Sequence, residues 1–417
     1  MTDRIALKPI IRSVLIVLLL LLAFGPSCLA AELGEIQAAI VQKGAQWQAG
    51  ETSMSVLPPA QQKLRLGLIL PKDEDLAAAP LAAMSMPPAG LPVALDWTTP
   101  VNFVTPVRDQ KSCGSCWAFA TAAALESASL IKNTIPCYNL DTSEQVLVSC
   151  GSAGSCSGGY VDKASNYIRD SGLPYEACFP YTATNNTCSA ACAGYKTDIF
   201  KTLSWSWVAT TAPTVDAIKN ALYNSGPLVT TFAVYGDFFS YKNGIYKHTT
   251  GNLAGYHAVL IVGYNDTEQY FKVKNSWGTA WGEAGFFRIA YSELAPATVL
   301  FGRYTIAYTM PDTCNGLSIT PQTVTFNYSG GTGSIAVDAP GLGCGWNAKS
   351  NASWITITSA NPKFGDATVT YTVQKNFGTK IRTGTISVGA KTFTVTQKSL
   401  TKYPYIEPVK KKEIPVP

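Results

Sequence analysis

A cysteine at the start of a long apolar helix is the feature that most constrains this chain. Cys116 follows the loop 110–115 and precedes the run 117–130, which is rich in Ala and Leu and contains no Gly or Pro. Such a run predicts a helix that begins next to Cys116. A helix N-terminus carries about half a positive charge, which favours a thiolate there. The segment therefore predicts a reactive cysteine, with the side-chain amide of Gln110 as a nearby donor.

Only two histidines could activate this thiol. His257 opens the apolar run 258–262, which predicts a buried strand that can hold the imidazole rigidly. His248 lies in the polar stretch 246–251, which predicts an ordinary solvated side chain. The histidine partner of Cys116 is therefore His257. An imidazolium beside a thiol can lower the pKa of the thiol to roughly 3–4.

Three blocks of sequence together resemble the papain-like cysteine peptidases. They are the segment 110–119, the segment 255–264 and the segment 275–285, which begins Asn-Ser-Trp-Gly. Their order and separation match the family pattern. The resemblance implies that Asn275 orients the imidazole of His257 and that Trp277 shields their hydrogen bond from water. It also implies that Gln110 and the backbone N–H of Cys116 donate to the oxyanion of the intermediate.

The resemblance implies an α+β fold with two lobes. A helical lobe would carry the nucleophile, a β-barrel-like lobe would carry the histidine, and the active cleft would lie between them. Gly158 and Gly159 resemble the backbone strip that pairs with an extended substrate, although they could also form a plain turn. Tyr160 and Tyr256 would then border the pocket for the second residue upstream of the cut, which favours aromatic or bulky aliphatic side chains. The sequence has no paired-histidine loop of the cathepsin B kind, so we expect an endopeptidase.

Other interpretations of the cysteine block remain open at this stage. Cys113-x-x-Cys116 also fits a redox pair or half of a zinc site, but no second Cys-x-x-Cys accompanies it. An inactive homologue would keep the fold and act as a surface or adhesion protein through its C-terminal domain. Acyl transfer to an amine, as in a transglutaminase or a peptide ligase, would use the same triad. We expect no metal and no organic cofactor.

Composition restricts the partners and the number of domains. With 417 residues and 47% apolar content, the chain can hold two or three domains with sizeable cores. The net charge is +5, and the longest basic run is the triplet 410–412. This charge is too small and too dispersed to predict nucleic-acid binding. We expect protein or peptide substrates and a monomeric protein.

The first 30 residues predict export. Basic residues precede the apolar run 13–24, and the small residues around Ala30 form a cleavage site. This is the pattern of a signal peptide, and the run is short for a membrane span. Lipidation at Cys28 and an uncleaved anchor are the alternatives. We expect a periplasmic, cell-surface or extracellular protein.

The eleven cysteines agree with an oxidising compartment. The family resemblance implies a disulfide between Cys113 and Cys156, and one from Cys150 to either Cys188 or Cys192. The two cysteines without an evident family counterpart, Cys137 and Cys178, could pair with each other. Spacing alone does not decide the connectivity.

Residues 31–90 predict a propeptide with a linker, followed by a catalytic domain at 91–311. Apolar spacing predicts a helix over 36–47 and a short one over 58–66, before a loose Ala/Pro/Met linker at 77–88 that should be easily cleaved. Autoinhibition by this segment is a hypothesis, and a packing arm is the alternative.

Residues 312–399 change character and predict a small all-β sandwich of the immunoglobulin-like kind. Six runs of alternating polar and apolar residues are separated by turn residues. The stretches 344–348, 351–357 and 393–397 resemble BACON domains, which implies either glycan or cell-surface binding or a spacer role. Cys314 and Cys344 would form its disulfide, and Trp346 and Trp354 are expected in the core. Residues 400–417 form a Pro-rich tail that is predicted to be disordered.

Overall fold

The computed structural model describes residues 26–72, residue 76, residues 80–82 and residues 90–400. Residues 1–25 of the predicted signal peptide and residues 401–417 of the Pro-rich tail lie outside this range. The chain divides into two compact units, Met1–Pro311 and Asp312–Pro417. Within the described ranges, no helix combines the length and the apolarity needed to cross a bilayer.

The N-terminal segment forms helix α1 (Pro26–Lys43), strand β1 (Trp47–Ala49) and helix α2 (Pro59–Lys63). The prediction of one helix over 36–47 was therefore wrong at its end. Gly44 adopts φ 60°, a left-handed conformation that ends a helix without strain in a residue lacking Cβ. The chain then turns, so that Trp47 starts β1 and pairs with Gly244.

The helices of the first unit after this segment are α3 (Cys116–Lys132), α4 (Glu144–Cys150), α5 (Val161–Asp170) and α6 (Val215–Ser225). Helix α3 is buried from Cys116 to Leu130, which accounts for its largely apolar, Ala-rich sequence. Polar caps mark two of the other starts. The hydroxyl of Ser143 accepts from the N–H of Val146 at the start of α4, and that of Thr214 accepts from the N–H of Ala217 at the start of α6.

The described part of the first unit contains a nine-stranded sheet in the order β1-β7-β10-β9-β8-β6-β11-β5, with β2 paired to β8. The strands are β2 (Ala94–Asp96), β5 (Ser204–Ala209), β6 (Leu228–Tyr235), β7 (Tyr241–Tyr246), β8 (Leu253–Asn265), β9 (Tyr270–Lys274), β10 (Phe286–Ala290) and β11 (Arg303–Thr309). A two-stranded ribbon pairs β3 (Gly154–Ser155) with β4 (Gly158–Gly159). Helices and sheet together give the predicted α+β architecture.

The N-terminal segment shares a hydrophobic core with the sheet. Ile36, Ile40, Trp47 and Met54 are buried in the same cluster as the aromatic side chains of strands β6 to β10. The indole N–H of Trp47 donates to the carbonyl of Lys247 at 2.9 Å, which satisfies its one polar atom. The segment is therefore packed into the first unit rather than laid loosely on it.

The linker is held at one described point. The N–H of Ala82 donates to the carbonyl of Trp207 at 2.7 Å, and the N–H of Trp207 donates to the carbonyl of Pro80 at 3.0 Å. Residues 80–82 thus extend the sheet beyond its edge strand β5, in parallel orientation. The remainder of the predicted loose linker lies largely outside the described residues.

The disulfides correct one prediction. Cys113 is bonded to Cys156 and Cys150 to Cys188, within the alternatives that the sequence left open. The suggested pair of Cys137 with Cys178 was wrong, because Cys178 is bonded to Cys192, while Cys137 is exposed and free. The Cα atoms of Cys178 and Cys192 lie 5.0 Å apart, a distance that a disulfide can bridge, and the two residues are only 14 positions apart in the sequence.

The second unit is a β-sandwich. One sheet has the order β12-β14-β19-β17 and the other β13-β21-β20-β16, with a small ribbon of β15 and β18. The strands are β12 (Ser318–Thr320), β13 (Thr323–Phe326), β14 (Gly331–Asp338), β15 (Gly345–Trp346), β16 (Ala348–Ser350), β17 (Ile355–Ile357), β18 (Lys363–Phe364), β19 (Ala367–Val373), β20 (Arg382–Val388) and β21 (Lys391–Gln397). The alternating runs of the sequence became strands because every second side chain enters the core.

Three expectations for this unit hold. Cys314 is bonded to Cys344, and Trp346 is buried in the core. Trp354 is partly buried and packs against that core, with the Arg382 guanidinium 4.3 Å from its ring centre. Neither tryptophan presents a bare ring to solvent as a sugar platform would.

Ile335→Ala should destabilise the second unit by about 2–5 kcal/mol, because the side chain is fully buried and its removal leaves a cavity. Chemical unfolding followed by a probe in this unit measures the effect. Ser334→Ala, on the exposed side of the same strand, is the matched control and should change stability little. Equal stability of both variants would contradict the description of this core.

Candidate active site

Cys116 is the first residue of helix α3 and is completely buried. Backbone N–H groups of Ala258 and Gly67 point at its sulfur, as do those of Trp117 and Cys116 itself. The first of these belongs to the residue that follows His257 in β8. The fold therefore brings the helix N-terminus and the histidine strand to the same point.

His257 and Asn275 are joined by a buried hydrogen bond. Nε2 of His257 lies 2.8 Å from Oδ1 of Asn275, which also accepts from the N–H of Ser276 at 2.8 Å. The Trp277 ring is tilted over the imidazole with 4.8 Å between ring centres and is itself buried. This arrangement excludes water from the His257–Asn275 hydrogen bond and fixes the orientation of the ring.

The other imidazole nitrogen, Nδ1 of His257, is buried and makes no hydrogen bond among the described residues. A buried nitrogen without a partner is costly unless a ligand or substrate group uses it. Since Asn275 occupies Nε2, Nδ1 is the atom that can exchange a proton at the site.

Gln110 is held by bonds from both sides. Its Oε1 accepts from the hydroxyl of Ser276 at 2.7 Å, and its backbone N–H donates to the carbonyl of Ser276 at 2.9 Å. Its Nε2 donates to the carbonyls of Cys113 at 2.9 Å and Arg65 at 3.1 Å. The amide therefore presents its N–H groups towards the cysteine loop. The sequence motif did not assign a role to Ser276, although it follows Asn275 directly.

The cleft strip and its borders are occupied by the N-terminal segment. Gly159 donates its N–H to the carbonyl of Gly67 and accepts from the N–H of Ile69, both at 2.9 Å. The carbonyl of Tyr256 accepts from the N–H of Leu68 at 3.3 Å, and Leu68 is buried. The segment runs parallel to Gly159, as an added strand.

The two glycines of the predicted backbone strip have clear structural reasons for their identity. Gly158 adopts φ 128°, and a Cβ at Gly159 would lie 2.4 Å from the Trp117 ring, so both positions require glycine. Tyr160 precedes helix α5 and is partly exposed, with the Lys163 ammonium 4.0 Å from its ring centre.

Arg65–Ile69 crosses the nucleophile in a position that the sequence did not predict. A Cβ at Gly67 would lie 1.8 Å from the carbonyl oxygen of Gly114, so the two backbones are in direct contact. The Arg65 guanidinium also forms an ion pair with Asp109 at 2.9 Å. The alternating leucines 64, 66, 68 and 70 were the available signal for an extended strand, and the prediction of a helix over 58–66 was wrong at its end, because the helix stops at Lys63.

Burial favours the neutral forms of both Cys116 and His257. Burial raises the pKa of the Cys116 thiol to about 11, despite the N–H groups that point at the sulfur. Burial also lowers the pKa of His257 to about 4, against the opposing effect of the bond to Asn275. The thiolate–imidazolium pair stays a prediction for the protein without this cover.

A buried charged cluster lies next to the site. The carboxylate of Glu126 accepts from the hydroxyl of Thr105 at 2.5 Å and from the N–H of Thr142 at 2.8 Å. Lys274, directly before Asn275, donates to the same Thr105 hydroxyl at 3.0 Å, and burial lowers its pKa to about 8. These groups link helix α3, which carries Cys116, to the end of strand β9, which directly precedes Asn275.

The second histidine is not the solvated side chain that the sequence predicted. Nδ1 of His248 lies 3.2 Å from a carboxylate oxygen of buried Asp237, and its ring lies 4.1 Å from that of Tyr235. The polar stretch 246–251 folds back onto Asp237, which also accepts from the N–H of Thr249. His248 is therefore a structural residue.

Nothing in the described ranges gathers three or more His, Cys, Asp or Glu side chains in a way that could hold a metal ion. Cys113 is in a disulfide with Cys156, so it does not form a redox pair with Cys116. What the geometry provides is a thiol at a helix N-terminus, an oriented imidazole and amide donors. These are the parts needed for nucleophilic attack on an acyl carbon.

The family model described as papain family cysteine protease matches residues 91–299, and the model of a viral BACON domain matches residues 316–401. The chain therefore belongs to the papain family of cysteine proteases and carries a BACON domain after the protease domain.

Individual relatives agree with this. Cathepsin B-like CP3 from Giardia intestinalis is 36% identical over 52% of this chain and 74% of its own length. The gamete and mating-type specific protein A of Dictyostelium discoideum is 38% identical over 51% of this chain. The match covers 45% of the length of that protein and 48% of the length of cathepsin C from Schistosoma mansoni, so this chain spans less than half of each.

A solved structure extends the likeness to the N-terminal segment. Digestive procathepsin L2 from Tenebrio molitor larval midgut is 25% identical, with a TM-score of 0.59, and the match covers 74% of this chain and 96% of that one. The fold is thus that of a papain-type proform.

His257 should remain neutral down to about pH 4 in the covered protein, because burial disfavours its charged form. Its folded pKa lies below the ordinary 6.5, so its contribution to stability is complete above about pH 6.5 and is lost as the pH falls towards 4. With only two histidines, an NMR titration of the ring protons resolves both, and His248→Asn assigns them. Titration of His257 near 6.5 in the intact protein would contradict the buried geometry.

Proposed function

We propose that the chain is an exported cysteine endopeptidase made as an inactive precursor. The observation that carries this proposal is the oriented His257, bonded through Nε2 to Asn275 under Trp277, with Nδ1 buried and without a partner among the described residues. The backbone of the next residue, Ala258, hydrogen-bonds to the Cys116 thiol. No packing role requires an imidazole with one buried nitrogen unsatisfied.

The proposed reaction begins when the covering segment leaves and water enters the cleft. Rehydration lowers the thiol pKa and raises that of the imidazole, so the Cys116 proton moves to Nδ1 of His257. The thiolate attacks the carbonyl carbon of the peptide bond, and the charge that develops on oxygen is met by Nε2 of Gln110 and the N–H of Cys116. That Gln110 already donates to a carbonyl, that of Arg65, supports this role.

The imidazolium of His257 then gives its proton to the departing amine, and the C–N bond breaks. An acyl-enzyme remains on Cys116. Water, deprotonated by the now neutral His257, attacks the thioester carbon and releases the acid, which restores the thiol and imidazole. Asn275 keeps the ring oriented in both halves of the reaction.

The N-terminal segment would inhibit rather than serve as a substrate because of the group that it places at the sulfur. That group is the backbone N–H of Gly67, which hydrogen-bonds to the Cys116 thiol in place of a substrate carbonyl. The same segment uses the Gln110 amide and the Gly159 strip, so it blocks the donors that a substrate needs. Anchoring comes from Ile36, Ile40 and Trp47, which are buried in the core.

We propose the following organisation: signal peptide 1–30, propeptide and linker 31–90, catalytic domain 91–311, BACON-like domain 312–399 and tail 400–417. Maturation would cut between residue 72 and residue 91, after the strand that covers the cleft. The boundary near residue 311 agrees with the division into two compact units. The disulfides are consistent with an oxidising compartment outside the cytosol.

For the substrate, we propose a preference for a bulky aliphatic or aromatic side chain near the cut. Leu68 is 7% exposed and pairs through its backbone with Gly159 and Tyr256, which supports an apolar subsite beside these residues. Tyr160 and Tyr256 would border this subsite, and Gly158 and Gly159 would pair with the substrate backbone.

Hydrolysis of fluorogenic peptides should be absent or low in the intact chain and should rise after mild proteolysis of the linker. Cys116→Ala should reduce it to background in both forms, because the nucleophile is lost. A panel varying the residue two positions upstream of the cut tests the proposed preference. A folded, processed protein without any Cys116-dependent cleavage would overturn the proposal and favour a non-catalytic surface or adhesion protein.

Gly67→Ala should weaken inhibition in the intact chain, because a Cβ would collide with the Gly114 carbonyl and displace the strand. The strand makes two hydrogen bonds with Gly159 and one with Tyr256, each worth about 1 kcal/mol, so losing all of them predicts roughly a hundredfold weaker inhibition. Activity of the uncut protein on a small peptide measures this. Gly34→Ala is the matched control within the same segment, since nothing lies within 4 Å of its added Cβ. Equal activity of the two variants would refute the inhibitory role of the Gly67 contact.

A further inference from the structure

One end of the second unit carries an apolar and basic surface without a role in the proposed peptidase reaction. All of the large exposed hydrophobic side chains of the described part of this unit lie there: Tyr328, Phe377, Ile381 and Leu400. They come from the three segments that follow β13, that join β19 to β20 and that follow β21. We call these four residues, with Lys375, Lys380 and Lys398, the loop end of the unit. Phe377 is 82% exposed and Ile381 is 64% exposed, which is unusual for such side chains.

A network of buried polar groups holds these segments together. Asn376 is buried, donates from Nδ2 to the carbonyls of Lys380 and Lys398, and donates its N–H to the carbonyl of Tyr328. Its Oδ1 accepts from the N–H of Gly378, which closes the turn around Phe377. Asn376 thus joins all three segments, through its side chain and its backbone N–H, while the Phe377 ring extends into solvent.

A second set of bonds supports the same loop. Gln397 is buried and donates from Nε2 to the carbonyls of Asn327, Tyr328 and Gln374. The Arg382 guanidinium donates to Gln397 and to the carbonyls of Gln374 and Lys375. The loop is therefore organised in advance, so that binding through Phe377 would order little additional chain.

The charges of this unit are distributed unevenly. Lys375, Lys380 and Lys398 are exposed at the loop end. The acidic residues between 312 and 400 are Asp312, Asp338 and Asp366. Asp338 and Asp366 lie at the opposite end, because Gly331 pairs with Val373 at the loop end while Val337 pairs with Ala367 at the other. Asp312 precedes β12, whose first residue Ser318 pairs with Asp338.

We propose that the loop end docks the protein on an anionic lipid surface. Phe377 and Ile381 would enter the interface between head groups and acyl chains, where aromatic and aliphatic side chains are stabilised, and the lysines would meet the anionic head groups. Ile381 and Leu400 favour lipid over glycan, since aliphatic tips offer sugars neither a flat ring nor hydrogen bonds. The partly buried Trp354 and the buried Trp346 supply no alternative platform.

The test uses the full chain with Cys116→Ala, so that its outcome does not depend on peptidase activity. Co-sedimentation is measured with vesicles of phosphatidylcholine alone and with vesicles that also contain phosphatidylglycerol. We expect binding to the anionic vesicles, roughly tenfold weaker or more for Phe377→Ser and about tenfold weaker for Lys380→Glu. Lys391→Glu is the matched control, because Lys391 pairs with Val388 at the opposite end of strands β20 and β21.

A site-specific probe separates this surface from any other part of the chain that binds lipid. With 4-fluorophenylalanine in place of Phe377, nitroxide-labelled lipid in anionic vesicles should broaden the fluorine resonance. An unaffected resonance, or equal binding of Phe377→Ser and Lys391→Glu proteins, overturns the proposal. Phe377-dependent retention on heparin without vesicle binding also overturns it and makes the loop end a glycan site.

Discussion

The contact between Gly67 and Gly114 sets the register of the covering segment over the nucleophile. Neither residue has a Cβ, so the two backbones approach more closely than any other residue pair would allow. With Gly67 fixed there, Arg65 reaches Gln110, Leu68 reaches Tyr256 and the next residue reaches the glycine strip. With Gly67 in this position, its backbone also hydrogen-bonds to Cys116, and burial raises the pKa of that thiol.

Affinity and inhibition are supplied by different parts of the N-terminal segment. Ile36, Ile40 and Trp47 contribute apolar burial far from the chemistry, whereas 65–69 contribute backbone bonds at the cleft. Apolar burial scales with area and persists through changes of pH, while backbone bonds are individually worth about 1 kcal/mol. The covering strand can therefore be weakened locally while the helix and β1 remain docked.

Much of the fold and of the candidate site could be predicted because a few sequence blocks carry strong local constraints. A long Ala- and Leu-rich run without Gly or Pro, such as 117–130, predicts a buried helix, and alternating runs such as 367–373 predict half-buried strands. The environment of His248, the partner of Cys178 and the protonation of Cys116 were not predictable in this way. Each depends on which distant segment packs against the residue, and local sequence does not carry that information.

Residues 80–82, which pair with Trp207, determine whether the edge of the sheet stays covered after the linker is cut. Residues 80–82 cover the outer edge of β5, whose backbone N–H and C=O groups at Trp207 would otherwise be open to another chain. A cut upstream of Pro80 leaves this cover attached to the catalytic unit, whereas a cut downstream of Ala82 allows it to depart. The choice of maturation site would then decide whether the product has a bare strand edge, and with it a tendency to associate edge to edge.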